Sequence, residues 1–151
     1  MRASCWQKGQ PVTVPQGSAL QRLVDDGRFD DLLREVTLAD VAQAWMGYQH
    51  RYHDDGDPGI DDPDWWAVAV WMEEGWWADE KRVREGILEL VAAAETDADF
   101  GVLGAAIMEM FVAHGDDRLY WLEEQAAHSE AFQRSLRNVH IWVESERLLI
   151  E

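Results

Sequence analysis

Residues 61–77, "DDPDWWAVAVWMEEGWW", carry five tryptophans within thirteen positions, directly after a run of aspartates. Whether those rings form a core or a surface decides both the fold and the functional reading. At 100° per residue, a helix over this stretch places Trp65, Val68, Ala69 and Met72 on one face. Trp66 and Val70 lie beside that face, and Trp71 points roughly the other way with Ala67 and Glu74. A helix that is apolar nearly all round is either buried centrally or keeps one face for a partner. The pattern is read as mostly core with an aromatic rim. Asp62 is expected to cap the helix with Pro63 at its first position, and Gly75 to break it. One or two of Trp66, Trp71, Trp76 and Trp77 are expected to stay partly exposed, Trp76 and Trp77 first because they follow Gly75 in a turn.

Outward from this stretch the periodicity is helical almost everywhere after residue 17. Ser18 is expected to cap a short helix that Gly27 ends, and Phe29, Leu32 and Leu33 continue its apolar face. Thr37 with Asp40 has the spacing of a capping box and opens a run that places Leu38, Val41, Trp45, Tyr48 and Tyr52 on one side. A helix over about Asp79–Glu95 carries the stripe Val83, Ile87, Leu90, Val91 and Ala94. Thr96 caps the next, with Phe100, Leu103, Ile107, Phe111 and His114 at helical spacing and Gly115 at its end. Leu119, Leu122 and Ala126 mark a shorter helix. Ser129 caps the last, with Phe132, Leu136, Val139 and Val143. No alternation of apolar and polar residues is long enough for a sheet. Short links between amphipathic helices predict an all-α fold, a compact bundle of about six to seven helices or stacked helical hairpins. The expected organisation is a loosely ordered segment 1–17, with two prolines and two glycines, followed by a single helical domain over 18–151.

The charge is the strongest compositional signal. The 151 residues carry a formal net charge of −17, and residues 51–100 hold 15 acids against 4 bases, a net of −11. Direct nucleic-acid binding is disfavoured, because it needs clustered Lys and Arg to displace counterions. An anionic membrane surface is disfavoured on the same ground, and no apolar run approaches a membrane span. A basic protein partner is favoured, since complementary charge speeds encounter. Cys5 is the only cysteine, which excludes an intrachain disulfide and suits a reducing compartment. With no charged-then-apolar leader, the cytoplasm is the expected location. Oligomeric state leaves no signature in the chain.

The segment 54–64, "DDGDPGIDDPD", is a loop with six aspartates, two glycines and two prolines. Aligned from Asp55 it fails the EF-hand pattern, which needs glycine sixth and glutamate twelfth where Ile60 and Trp66 stand. His50 and His53 have metal-compatible spacing, but no third ligand completes a set, and histidines there suit a helix C-terminus. Glu124 and His128 read as a surface pair. No metal and no cofactor is assigned. Glu109 lies in the apolar run "AAIMEMFVAHG", so it must reach the helix edge or find a partner. No nucleophile elbow, phosphate loop or CxxC is present, and no catalytic residue is assigned.

From about Thr37 to Val139 the order of signals resembles a family of small bacterial proteins catalogued as a domain of unknown function. The resemblance is carried by "LADVAQAW", the tryptophan helix after an acidic loop, "ILELVAAAETDADFGVLGAA", "MEMFVAHG" and "WLEEQAAHSEAFQRSLRNV". Family members show Leu-Glu-Asp-Leu-Leu followed two residues later by His-Gly, which puts Glu109, His114 and Gly115 on the matching positions. This chain departs from it at Ile107, where proline is usual, at Met110 for aspartate, and at His140 for tryptophan. The resemblance implies a helical fold and a role for those three motif residues, and it implies no reaction.

Three functional readings follow. The leading one is an acidic interaction protein of the immunity or antitoxin kind that neutralises a basic partner, with Asp54, Asp55, Asp57, Asp61, Asp62, Trp66, Trp76 and Trp77 as contacts. The others are a nucleic-acid mimic that occupies a DNA- or RNA-binding groove, and a small enzyme or ligand sensor using Glu109 and His114.

Overall fold

The computed structural model describes residues 14–139 except 116, and within them the fold is all-α, with no strand. Ten α-helical segments and one π-helical segment are present among the described residues, more than the six or seven that periodicity predicts. The contacts divide the chain into two units, residues 1–93 and 94–151.

In the first unit, α1 (Val14–Asp25) is closed by Gly27 in the left-handed region, φ +67°. Gly27 N–H donates to the Val24 carbonyl and Arg28 N–H to the Leu23 carbonyl, so a Schellman motif satisfies the last turn, as Gly27 predicts. Ser18 is not the N-cap, because the helix begins at Val14. Pro15 falls in its first turn, where a missing N–H costs nothing. Residues 14–17 are therefore helical rather than loosely ordered; the remainder of that segment, with Cys5, lies outside the described residues. After α2 (Phe29–Glu35), the Thr37–Asp40 capping box opens α3 (Leu38–Asp55), each member accepting the other's backbone N–H.

The tryptophan stretch departs from its expected single helix. It forms α4 (Trp65–Val70) and α5 (Glu74–Trp77), with the break at Trp71–Glu73 rather than at Gly75. There three successive i→i−3 bonds, from Trp71, Met72 and Glu73 N–H to the Val68, Ala69 and Val70 carbonyls, tighten the chain out of the α-helix. Met72 consequently leaves the apolar face and is 65% exposed. Asp62 and Pro63 precede the helix instead of opening it, since Asp62's carboxylate is engaged elsewhere and Asp64 occupies the N-cap position. Gly75 lies within α5, where a Cβ would come within 3.2 Å of the Phe29 ring.

α6 (Glu80–Ala93) completes the unit. α3 lies against α6 and α4, α1 against α4 and α2, and α5 against α6. The core between them contains Trp45, Trp66, Trp71, Trp76 and Trp77, all at most 3% exposed, with Val24, Leu32, Val83 and Leu90. Trp71 meets Trp76 and Trp77 edge-on, with centroids 5.5 and 5.4 Å apart, the arrangement that ring quadrupoles favour. Gly86 admits this cluster: a Cβ there would stand 2.9 Å from the Trp71 ring.

The second unit opens with α7 (Asp97–Val102), capped by a Thr96–Asp99 box in which Asp99, 2% exposed, accepts from both Glu95 and Thr96 N–H. It runs without a break into a π-helical segment (Leu103–Met108) and α8 (Glu109–Ala113). α9 (Asp117–His128) and α10 (Glu130–Leu136, with Ser129 as N-cap) follow. α10 packs on α9, α7 and the π segment, and α8 packs on α9. Leu103, Met108, Phe111, Leu122 and Phe132 fill this core, and Trp121 meets Phe111 and Phe132 edge-on. The predicted stripe residue Val143 lies outside the described residues.

Candidate functional site

The aspartate loop is built on the last turns of α3. Arg51 projects from the helix and forks onto Asp62, Nε to Oδ2 at 2.9 Å and Nη2 to Oδ1 at 2.8 Å, while Nη2 also reaches Asp64 Oδ2 at 2.6 Å. One turn earlier, Tyr48 donates its hydroxyl to Asp57 at 2.9 Å. Asp57 in turn accepts the Gly59 N–H, and Asp62 accepts the Asp64 N–H. Gly56, φ +86°, and Gly59, φ +77°, take the left-handed turns that side-chain-bearing residues adopt rarely. The loop is thus tied to α3 at two points by side chains 9, 11 and 13 residues away.

The electrostatics follow from that clamp. Burial pushes Asp62 up, but the Arg51 fork and the Asp64 N–H outweigh it and hold the carboxyl below the usual range. Asp64 is raised, because burial outweighs its single contact with Arg51. The same ion pair raises Arg51, against its own burial, and burial with the Asp57 contact pushes the Tyr48 phenol up to about 12. Two carboxylates therefore share one internal guanidinium. Asp54, Asp55 and Asp61 remain exposed at the surface, next in sequence to Tyr52 and Ile60, which are 51% and 72% exposed.

Of the eight residues expected to meet a partner, the structure brings the five aspartates onto this loop and the end of α3 and buries the three tryptophans. Asp57 and Asp62 are engaged internally. Trp66, Trp76 and Trp77 are 1%, 0% and 2% exposed, so the aromatic rim read from the sequence is corrected: these three rings are core. The turn after Gly75 that was to expose them is a helical turn folded onto α6, and the Trp77 indole N–H donates to the Trp71 carbonyl at 2.9 Å. The half-buried tryptophan beside the loop is Trp65, which tilts against Tyr48 with centroids 5.7 Å apart. Tyr52, placed on the buried face of α3 by periodicity, is exposed at its last turn.

Two of the first unit's clefts gather charged residues. One, of about 370 Å³, lies between α1 and the aspartate loop and is lined by Gln21, Arg22, Asp61, Trp65 and Trp66 among others. The second, about 470 Å³ and more open, gathers Asp25, Asp26, Asp30 and Glu73 around Arg82. Arg82 stacks over the Phe29 and Trp76 rings at 5.0 and 4.6 Å and donates to the Gly75 and Trp76 carbonyls. Burial lowers its pKa from the ordinary arginine value.

Glu109, His114 and Gly115 lie in the second unit. Glu109 is half-buried directly after the π segment. The His114 ring donates from Nδ1 to the Met110 carbonyl at 2.7 Å, which satisfies one open carbonyl of α8. Gly115 follows the helix end without a left-handed φ. Among the described residues, no group of three or more His, Cys, Asp or Glu is placed to hold a metal ion, and no helix is long and apolar enough to cross a membrane. Comparison with family models, with curated proteins and with solved structures returns no match.

Proposed function

We propose that this chain is an acidic protein-interaction module that binds a basic protein through the end of α3 and the aspartate loop, in the manner of an immunity or antitoxin protein. The observation that carries the reading is the Arg51 clamp. It fixes the loop backbone and neutralises part of its inner charge, leaving Asp54, Asp55 and Asp61 presented outward in a set arrangement. A preorganised loop loses less conformational entropy on binding than a free one. Exposed Tyr52 and Ile60 supply apolar area among the charges, in the place of the tryptophans that are committed to the core.

The test is affinity capture from lysate at low and high salt, comparing the wild-type chain with an Asp54→Asn, Asp55→Asn, Asp61→Asn variant. A stoichiometric basic protein, retained at low salt, released at high salt and lost by the variant, supports the reading. A partner held equally well by the variant, with unchanged salt dependence, refutes it.

A further inference from the structure

The 370 Å³ cleft between α1 and the aspartate loop joins carboxylates to tryptophan rings. It has carboxylates, since Asp61 and Asp62 both line it, and Asp61 is exposed while Asp62 is turned to Arg51. It has an aromatic wall, because Trp65 lines it and is only half-buried. Trp66 lines the same cleft at 1% exposure. Its volume lies at the small end of ligand-binding clefts, roughly 300–1,000 Å³, which suits one long side chain and its backbone better than a folded element.

We infer that this cleft receives an arginine side chain from the basic partner. The inference rests on the interaction reading above and names the chemistry of its contact. A guanidinium is planar, weakly hydrated and able to stack on an indole while it forks onto a carboxylate, which an ammonium does less well. Here Trp65 is the stacking face and Asp61 the free carboxylate. The chain already uses this chemistry within itself: Arg51 forks onto Asp62, and Arg82 stacks on Phe29 and Trp76. An anionic occupant is disfavoured by Asp61, since Asp62 is already paired with Arg51. Arg22, exposed on the same cleft, repels an incoming cation and attracts an anion, so its removal reports the sign of the occupant.

The experiment titrates the ¹⁵N-labelled full chain with a blocked tri-arginine peptide and with matched tri-lysine and tri-glutamate peptides. Expected are shifts of the Trp65 and Trp66 indole N–H signals and the Gln21 and Asp61 amides, with tri-arginine several-fold tighter than tri-lysine. Trp65→Leu and Asp61→Asn should each weaken tri-arginine binding about fivefold, and Arg22→Gln should strengthen it about twofold. Asp61 is exposed, so its variant tests the cleft even where Trp65→Leu unfolds the unit. Shifts confined to Tyr52, Asp54 and Asp55 overturn the cleft and leave the interaction reading standing. Response to tri-glutamate alone, or cleft shifts that follow protein concentration without peptide, assign another occupant and overturn the inference. No response to any cationic peptide overturns both.

Discussion

Replacing Arg51 by methionine tests whether the clamp holds the aspartate loop. The substitution keeps most of the apolar stem and removes three charge-assisted hydrogen bonds, two to Asp62 and one to Asp64. The carboxylates left behind have side-chain exposures of 6% and 14%, so water solvates them poorly. Removing one member of a fully buried ion pair costs about 3–5 kcal/mol, most of it the penalty on the orphaned charge. The Arg51 head is 40% exposed, which screens its attraction and brings the expected loss to about 2–3 kcal/mol. With a urea slope of about 1 kcal/mol/M for a unit of this size, the midpoint falls by about 2 M. Tryptophan fluorescence is the right probe, because most of the nine tryptophans belong to the first unit. The triple variant Arg51→Met, Asp62→Asn, Asp64→Asn should recover at least half of the loss. A single variant within about 0.5 kcal/mol of wild type would put the clamp among ordinary surface ion pairs and refute the account of how the loop is held.

Three further outcomes are expected. Asp64 has a raised folded pKa, so its contribution to stability is present below the unfolded value and lost as pH rises through the folded one; Asp62 has a lowered one, and its contribution is present above the unfolded value and lost as pH falls through the folded one. On acidification from neutrality, the first unit of the wild type should therefore gain stability relative to Asp64→Asn, and both chains should lose stability below the ordinary carboxylate range as Asp62 protonates; urea midpoints against pH for the two chains check this. Gly104→Ala should destabilise the second unit by about 3 kcal/mol or more, because the new Cβ would stand 2.2 Å from the Ser135 carbonyl oxygen and α10 must move away; loss of protection at α10 amides in hydrogen exchange is the readout, and native-like protection would contradict it. Arg82→Met should cost about 1–2 kcal/mol through the lost stacking on Phe29 and Trp76 and two uncapped carbonyls, measured by thermal unfolding.

Local rules were legible where the interaction is local. The Thr37–Asp40 box and the Thr96 and Ser129 caps follow from side chains within a few residues of the backbone groups they satisfy, and the Gly27 stop from a local turn. The tryptophan stretch was not legible for a definite reason: periodicity selects a buried face only when the other face is polar, and here both are apolar. The chain resolves that ambiguity by breaking the helix at 71–73, which buries rings from both sides and turns out Met72. The Arg51 clamp joins residues 11 and 13 apart across a loop, a spacing with no periodic signature. Its composition was visible as six aspartates near one arginine, but not which of them Arg51 would take. The π segment left no mark either, since Phe100, Leu103, Ile107 and Phe111 fit a regular helix equally well. Met110 and Tyr120 emerge as exposed apolar positions of the second unit that helical spacing does not single out.

The edge-on contacts of Trp71 with Trp76 and Trp77 have an optical consequence. Indoles this close and steeply inclined couple their strong ultraviolet transitions, so each absorbs as part of a set and contributes a paired positive and negative band to circular dichroism. Those bands fall over the helical signal, and a helix content fitted from the far-ultraviolet spectrum would be in error although the described residues contain no strand to confuse it. The same proximity lets excitation hop between rings before emission, which depolarises the fluorescence of the folded first unit. Unfolding should therefore restore the anisotropy lost to transfer even as the rings tumble more freely, a signature that depends on the packing of this one cluster.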